Sequence, residues 1–348
     1  MSKINKKVIP IVHCFNNNYV IHASVAFYSM LEHSNIESYY LLYVLHTDIT
    51  IENQKKLCDS ILIYKNAEII YINMENKFSD IFKNLKNKNY FTKDMFYKLV
   101  TPSLFQQYDK IIISDVDVVY LGNFEDQFND FDINTDFYLA GCRCPSFEKG
   151  YEVISMYEKD FSSIEIKKIY SGISAGFLIF NLKKMRDDNI ESMFIDCLIM
   201  NTNRLIQPEQ DVINLVCYPK IKYLEYNTLV CTYWYDFVIA NKVLYNDVFT
   251  EQVISHLLDN PIQLHYAAYP YKPWNYPGCT KSDYWFYYLL KTPFFYDHMN
   301  MLTEHIKKLE NQLSSVENFY LFPLRKKIKI TLKHFLKKFF PWALKKIK

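Results

Sequence analysis

Residues 110–117 read Lys110-Ile111-Ile112-Ile113-Ser114-Asp115-Val116-Asp117, an apolar β-branched run that ends in two acids one residue apart. Such a run predicts a buried strand, and the alternation of side chains along a strand sends both carboxylates toward the same side. In an α/β sheet the carboxyl ends of strands face the ligand crevice, where paired carboxylates suit a hard divalent cation that also holds a phosphate. The stretch therefore predicts metal-assisted handling of a phosphorylated substrate, with a solvated turn as the alternative.

Short β-branched or aromatic runs surround this stretch and alternate with segments of helical spacing in the first half of the chain. The runs predicted as strands are residues 8–15, 39–46, 67–74, 110–120, 137–142 and 175–182, and the segments predicted as helices are 19–32, 50–64 and 92–107. This alternation predicts an α/β fold, in which a doubly wound and mostly parallel sheet carries helices on both faces.

Glycine is scarce, which excludes two common modes of nucleotide binding. The chain has six glycines, and neither GxGxxG nor GxxxxGK[ST] occurs. Because dinucleotide-binding and P-loop sites cradle phosphate with glycine-rich backbone, any phosphate bound here must be held by side chains and metal.

The composition indicates a globular protein with an uneven distribution of charge. Of the 348 residues, 50% are hydrophobic, which suffices for one large domain or two modest ones. The formal charge of +2 hides an asymmetry, since residues 325–348 hold ten of the 40 basic side chains and no acid. Eight cysteines without a repeated spacing, and no cleavable apolar leader after Met1, favour a reducing cytoplasm without disulfides. No apolar run reaches the roughly 20 residues of a membrane-spanning helix.

The C-terminal basic segment has the pattern of an amphipathic helix. The apolar positions on one face are Leu324, Ile328, Leu332, Phe335 and Phe339, and the basic positions opposite are Lys326, Lys333 and Lys337. We expect a helical tail over 301–348 that attaches to an anionic membrane surface, on the inner face of the cytoplasmic membrane. Nucleic acid is the competing anion, and the large apolar residues on one face favour the membrane. A helix docked on the protein's own core would crowd the lysines.

A second candidate site element lies far along the chain. Residues 263–266 read as a short strand ending near His265, which is followed by Lys272-Pro273-Trp274. Imidazole suits transition divalents such as Mn²⁺, and a lysine offers a point charge for a diphosphate. Tyrosine and tryptophan are frequent between residues 218 and 296. Their rings could form the base of a sugar site, or their frequency could reflect only the general amino-acid composition of the source.

Six ordered blocks over about residues 8–293 resemble the family 8 retaining glycosyltransferases, which use nucleotide sugars and include bacterial lipopolysaccharide galactosyl- and glucosyltransferases. The blocks are Ile11-Val12 through Asn16-Asn17-Asn18-Tyr19, Tyr97-Lys98-Leu99, residues 110–122, Ser174-Ala175-Gly176 through Asn181-Leu182-Lys183-Lys184, Glu209-Gln210-Asp211, and His265 to Trp274. The resemblance implies one Rossmann-like GT-A type catalytic domain over 1–300, with a mixed, mostly parallel sheet.

The resemblance also implies a role for each matched position. The implied metal ligands, for Mn²⁺ or Mg²⁺, are Asp115, Asp117 and His265. The implied catalytic residues are Gln210, Glu209 and Lys272. The implied substrate-binding residues are Asn16, Asn17, Tyr19, Lys98, Asp115, Val116, Ser174, Ala175, Asp211, Ala268 and Lys272. From the residues themselves, Glu209 and Asp211 are equally compatible with acids at the start of a helix near Pro208.

Several of these positions depart from the family pattern. Asn16 and Asn17 replace acids, Lys98 replaces an arginine, Glu209 an aspartate and Ser174 an asparagine. Ala268 lies near the usual glycine, and the interval from His265 to Lys272 is one residue longer. These departures leave the three implied metal ligands in place, and they leave the identity of the nucleotide base and of the sugar open.

The implied reaction transfers a hexose from a UDP-sugar to a hydroxyl of a glycan or glycolipid acceptor with retention of configuration. Stabilisation of the departing nucleoside diphosphate is the expected catalytic device. Because Gln210 is a poor nucleophile, same-face attack by the acceptor hydroxyl is favoured over a stable covalent intermediate. The alternatives are a phosphohydrolase with Asp115 as nucleophile and a non-catalytic protein that binds sugar nucleotides or membranes. The hexose, the acceptor hydroxyl and the oligomeric state stay open.

Overall fold

The computed structural model describes residues 6–75, 93–143, 156–240, 256, 258–268 and 271–311. The chain forms a unit of residues Met1–Phe294 and a C-terminal unit of residues Phe295–Lys348. The first unit holds the described strands, and the second is helical over 295–311, which confirms the predicted helical extension there. The amphipathic segment predicted within 323–341 lies outside the described residues. Within the described ranges, no helix combines the length and apolarity needed to cross a bilayer.

The described strands and helices alternate in the first half of the chain, as predicted. The strands are β1 (Lys7–Cys14), β2 (Ser38–His46), β3 (Ala67–Asn73), β4 (Lys110–Ser114), β5 (Val118–Tyr120), β6 (Leu139–Arg143), β7 (Ile173–Asn181), β8 (Ile221–Leu224), β9 (Val230–Cys231) and β10 (Gln263–His265). Ahead of the helical segment 295–311, the described α-helices are α1 (Val20–Glu32), α2 (Ile51–Ser60), α3 (Thr101–Leu104), α4 (Glu125–Asn129), α5 (Ser163–Tyr170), α6 (Leu182–Asp187), α7 (Ile190–Asn201), α8 (Pro208–Cys217), α9 (Tyr233–Ala240) and α10 (Ser282–Leu289). In the described ranges, 3-10 helices cover Asn17–Tyr19, Lys93–Val100 and Tyr226–Thr228.

Seven strands form a mixed, mostly parallel sheet in the order β3-β2-β1-β4-β7-β6-β8. The strands from β3 to β4 run parallel, β7 lies antiparallel between β4 and β6, and β8 is parallel to β6. All nine residues of β7 are buried, which is the pattern of a central strand covered on both faces. The predicted α/β fold with a mostly parallel sheet is confirmed.

A second sheet of three strands, in the order β5-β10-β9, changes one prediction. Residues 110–120 were predicted as one strand, and the structure divides them between the two sheets: β4 ends at Ser114 and β5 begins at Val118. Residues 115–117 form the connection, because β4 pairs with β7 whereas β5 pairs with β10. The two acids therefore lie at the junction of the sheets rather than within a strand.

The helix predicted over 92–107 is also different in kind. The described part of it is a 3-10 helix over Lys93–Val100 that continues into the short α3, and Pro102 lies in the first turn of α3. Because proline has no backbone N–H and fixes its own φ, it fits the start of a helix and interrupts a continuous one. Lys98 lies on this 3-10 helix and is buried.

The start of β7 is fixed to α8 by the side chain of Asn214. Its Oδ1 accepts from the N–H of Ile173 at 2.9 Å, and its Nδ2 donates to the carbonyl of the same residue at 3.1 Å. Gly172 allows this contact, since a Cβ there would lie 2.2 Å from Cγ of Asn214. Helix α8 carries Glu209 and Gln210, so this anchor places two candidate site residues against the sheet.

We predict that Gly172→Ala lowers the free energy of unfolding by about 1–3 kcal/mol, because the added methyl forces the buried Asn214 amide away from β7. Urea unfolding followed by circular dichroism measures the loss. Gly278→Ala is the matched control, since nothing lies within 4 Å of a Cβ at Gly278. Equal stability of the two variants would contradict the anchor.

Candidate metal and sugar-nucleotide site

The connection over residues 115–117 is held by the backbone on both sides. The N–H of Asp115 donates to the carbonyl of Gly176 in β7 at 3.1 Å, and the carbonyl of Asp117 accepts from the N–H of Tyr266 at 3.0 Å. Val116 between them is buried at 4% exposure. The two carboxylates are thus fixed where the carboxyl end of β4 meets the second sheet.

The end of β4 is further fixed by a histidine that the sequence analysis missed. His13 in β1 is fully buried, and burial lowers its pKa to about 3, so the ring is neutral. Its Nδ1–H donates to the carbonyl of Ser114 at 2.9 Å. A polar residue inside the apolar run of β1 is the sequence signal that could have identified it.

Asp115, Asp117 and His265 come together as the sequence predicted. One ligand atom from each lies within 4.8 Å of the others. Nε2 of His265 is 3.2 Å from Oδ1 of Asp117 and 3.7 Å from Oδ2 of Asp115. Two carboxylate oxygens and an imidazole nitrogen form a donor set that suits Mn²⁺, and also Mg²⁺ when phosphate and water complete the shell.

Gly176 explains how the imidazole fits against β7. A Cβ on Gly176 would lie 2.6 Å from Nδ1 of His265 and 2.9 Å from a methyl of Leu229. Only a residue without a side chain leaves room for the ring at this place. The glycine in the Ser174-Ala175-Gly176 block therefore has a steric role beside the candidate metal ligands.

Lys98 occupies the interior side of the site. Its Nζ donates to Oδ1 of Asp115 at 2.6 Å, to Oε1 of Glu209 at 3.2 Å and to the carbonyl of Ala175 at 3.3 Å. Burial disfavours the charged ammonium, but Asp115 and Glu209 outweigh burial and raise the pKa of Lys98. Burial in turn raises the pKa of Glu209, and Lys98 opposes that rise.

Lys272 occupies the outer side. Its Nζ pairs with Oδ2 of Asp117 and lies 5.5 Å from the ring centre of Trp274. Burial opposes ionisation of Asp117, yet Lys272 and His265 hold the pKa of this carboxyl well below its usual range. Asp117 itself raises the pKa of Lys272 against the effect of burial.

An aromatic cluster supports the segment that carries Lys272. Trp274 stacks on His22 of α1 with ring centres 3.7 Å apart, and Tyr19 and Trp285 lie at their edges. Tyr19 was predicted as a substrate-binding residue, while His22 was missed. His22 lies in the first turn of a mostly apolar helix. It was a weak signal in the sequence, because its partner Trp274 lies 252 positions away.

Helix α8 brings Glu209 and Gln210 to the site and turns Asp211 away from it. Oε1 of Gln210 accepts from the N–H of Ala175 at 2.9 Å, next to the carbonyl that Lys98 contacts. The carboxylate of Asp211 accepts from the hydroxyl of Tyr157 and from the N–H groups of residues 206 and 207. Asp211 thus fixes the entry to α8, which is the helix-start role that the sequence left open.

The remaining predicted residues have local structural roles in the described ranges. The amide of Asn16 caps the 3-10 helix over Asn17–Tyr19, and Oδ1 of Asn17 accepts from Thr50 and Asn53 at the start of α2. Ser174 is buried in β7. Ala268 has φ of 64°, a left-handed conformation that glycine adopts more easily.

The model of glycosyl transferase family 8 matches residues 10–278. The chain belongs to this family. General stress protein A of Bacillus subtilis is 21% identical over 293 residues, which are 82% of this chain and 94% of that protein. A Haemophilus influenzae protein provisionally named a glycosyltransferase is 24% identical over 215 residues, 62% of this chain and 61% of that protein.

Solved structures of low sequence identity share the fold of this chain. The bifunctional glycosyltransferase WbbM has a TM-score of 0.67 at 18% identity, over 86% of this chain and 52% of that chain. The galactosyltransferase LgtC, in complex with donor and acceptor sugar analogues, has a TM-score of 0.63 at 19% identity, over 82% of this chain and 96% of that chain. The family member thus spans about half of the WbbM chain and under two thirds of the Haemophilus protein.

We predict that the wild-type protein loses stability as the pH rises from about 4 to about 6, and that Asp211→Asn removes this loss. Burial raises the pKa of Asp211 to about 6 from 3.8, so the folded state keeps a proton that the unfolded state has lost. Asp211 therefore contributes stability that is fully present below about pH 4 and is lost as the pH rises through about 6. Relative to the wild type, Asp211→Asn should gain roughly 2 kcal/mol between these limits.

Urea unfolding from about pH 4 to pH 7 measures this difference, and the exposed Asp126→Asn serves as the control. A difference between Asp211→Asn and the wild type that stays constant over this range would contradict the buried role of Asp211.

Proposed function

We propose that the protein transfers a hexose from a UDP-sugar to a hydroxyl of a surface-glycan acceptor, such as lipopolysaccharide, capsule or another lipid-linked oligosaccharide. The transfer retains the anomeric configuration and depends on a divalent cation. The observation that carries the proposal is the convergence of Asp115, Asp117 and His265 within 4.8 Å, with a lysine on each aspartate. Membership of family 8 supports it, as does a fold shared with a galactosyltransferase that binds donor and acceptor analogues.

The donor set fits Mn²⁺ or Mg²⁺, held by Asp115, Asp117 and His265. When bound, the cation would neutralise the diphosphate and stabilise the leaving oxygen. Lys272 supplies a second positive charge at the outer, partly exposed side of Asp117. Its three N–H donors and flexible stem suit a phosphate oxygen.

The residues on β7 and α8 serve the sugar side of the reaction. Gln210 is held to β7 by its contact with Ala175, and Glu209 is held by Lys98. An amide is a poor nucleophile, so Gln210 orients the donor rather than forming a glycosyl-enzyme bond. Glu209 accepts hydrogen bonds from sugar hydroxyls, and same-face attack by the acceptor hydroxyl gives retention.

The phosphohydrolase alternative would need Asp115 as a free nucleophile. In the structure, Lys98 takes one oxygen of this carboxylate at 2.6 Å, and His265 faces the other. The arrangement suits a metal ligand better than an attacking group. The same assay separates this alternative and the non-catalytic one from the proposed function.

We predict slow hydrolysis of a UDP-hexose to free sugar and UDP in the presence of Mn²⁺. Asp117→Ala should lower the rate by about a hundredfold or more, because stabilisation of the leaving oxygen is lost. A coupled assay for UDP release, across UDP-glucose, UDP-galactose and their N-acetyl forms, measures this. The exposed Asp187→Ala is the control.

Phosphate release from simple phosphomonoesters, without turnover of any UDP-sugar, would favour the phosphohydrolase. Binding of UDP without hydrolysis of any donor would favour the non-catalytic protein.

We also propose that the basic C-terminal segment attaches the enzyme to the anionic inner face of the cytoplasmic membrane, where lipid-linked acceptors are presented. The support is the sequence pattern of residues 323–341. Removal of residues 323–348 should leave donor hydrolysis unchanged and lower binding to vesicles containing phosphatidylglycerol by tenfold or more, since each cation near the lipid adds on the order of 1 kcal/mol. Vesicle cosedimentation measures this. Unchanged binding would refute the attachment.

A further inference from the structure

The charges around the candidate metal site form two lysine–aspartate pairs, each next to His265. We call this arrangement the bracket. Each aspartate gives one oxygen to a lysine and turns the other toward His265. Asp115 has Lys98 on Oδ1 and His265 at 3.7 Å from Oδ2. Asp117 has Lys272 on Oδ2 and His265 at 3.2 Å from Oδ1. The inner oxygens and the imidazole are therefore the ligands left for a cation.

The two lysines of this bracket differ in how firmly they are held. Lys98 is 2% exposed and has three acceptors, Asp115, Glu209 and a backbone carbonyl, one for each N–H of its ammonium. The side chain of Lys272 is 20% exposed and has Asp117 as its one carboxylate partner among the described residues. Lys98 is a fixed part of the interior, whereas Lys272 can exchange its partner.

The local charge balance sets how a divalent cation binds. Asp115, Asp117 and Glu209 supply three negative charges, and the lysines supply two positive ones. A divalent cation that binds alone would make the net charge of the site positive. It would also lie beside the positive charge of Lys272, which is unfavourable. A diphosphate that arrives with the cation restores the balance and gives Lys272 a new acceptor.

We infer that Lys272 substitutes for the divalent cation at Asp117 and transfers to the diphosphate when donor and metal enter, so that metal and nucleotide bind cooperatively. The inference rests on the proposed function. Binding of the cation draws charge from Asp117 and repels Lys272, which frees the ammonium for a phosphate oxygen. By thermodynamic linkage, the same lysine weakens the binding of metal in the absence of nucleotide.

The test is the affinity for Mn²⁺, measured by electron paramagnetic resonance of free Mn²⁺ with and without UDP. In the wild-type protein, UDP should tighten Mn²⁺ binding by about fivefold or more. Lys272→Met keeps the apolar stem and removes the charge, so it should tighten Mn²⁺ binding without UDP by a similar factor. It should also show a smaller effect of UDP on Mn²⁺ binding than the wild type shows. Loss of a lysine that contacted only phosphate would not tighten metal binding.

Two variants control for charge and for position. Lys272→Arg keeps the positive charge, so its affinity for Mn²⁺ without UDP should stay close to that of the wild type. Lys65→Met removes an exposed lysine that donates to the carbonyl of Leu62. Lys65 lies just before the start of the edge strand β3, whereas the site lies after the end of the central strand β4. Lys65→Met should behave as wild type. Lys272→Gln provides a second neutral variant, and circular dichroism establishes that each variant is folded.

The outcomes separate this inference from the proposed function. If Lys272→Met and Lys272→Gln bind Mn²⁺ alone no more tightly than wild type, the inference is overturned while the proposed function stands. If Lys272→Arg matches Lys272→Met, the positive charge is not the cause and the inference is also overturned. If the wild-type protein binds no Mn²⁺ even with UDP, both fail.

Discussion

Compensation of buried negative charge is the constraint on which this site depends. Asp115, Asp117 and Glu209 approach one another where the two sheets meet, and such a cluster is unfavourable in a poorly hydrated place unless cations separate it. The buried Lys98 lies between Asp115 and Glu209, and the partly exposed Lys272 pairs with Asp117. The β4–β5 junction sets this geometry, because the chain leaves one sheet after Ser114 and joins the other at Val118. A continuous strand would have left the carboxylates on the sheet, away from His265.

Much of the first half of the fold is readable from the sequence, because β1, β2 and β3 are apolar runs that end at polar residues. Their predicted bounds lie within about one residue of the observed ones. The junction at residues 115–117 was not readable, since the run Val118-Val119-Tyr120 continues the apolar character of β4 and nothing local marks a change of sheet. Pairing with β10, more than 140 positions later, decides it. A local pattern cannot report a partner so distant.

In the candidate site, too, some features could be predicted from the sequence, whereas others depend on partners far away in the chain. The convergence of Asp115, Asp117 and His265 was predicted from blocks that resemble one family, and the geometry agrees. The steric role of Gly176 and the stacking of His22 on Trp274 were not predicted, because each depends on a neighbour far away in the chain. The matched blocks therefore predicted that these three residues lie close together, whereas the tertiary contacts showed which neighbours hold them there.

The departures at Lys98 and Glu209 compensate each other in length. A lysine in place of arginine is shorter, and a glutamate in place of aspartate is longer by one methylene, so the two side chains still meet at 3.2 Å. The exchange is not neutral, however. A guanidinium could bind two carboxylates with its planar fork and still reach a ligand, while the ammonium of Lys98 has each N–H engaged by Asp115, Glu209 or a backbone carbonyl. We therefore propose that in this chain the contact with phosphate falls to Lys272, whose ammonium is more exposed and has Asp117 as its acceptor. On this proposal the substitution gives one lysine two tasks, neutralising Asp117 in the absence of metal and holding the diphosphate in its presence.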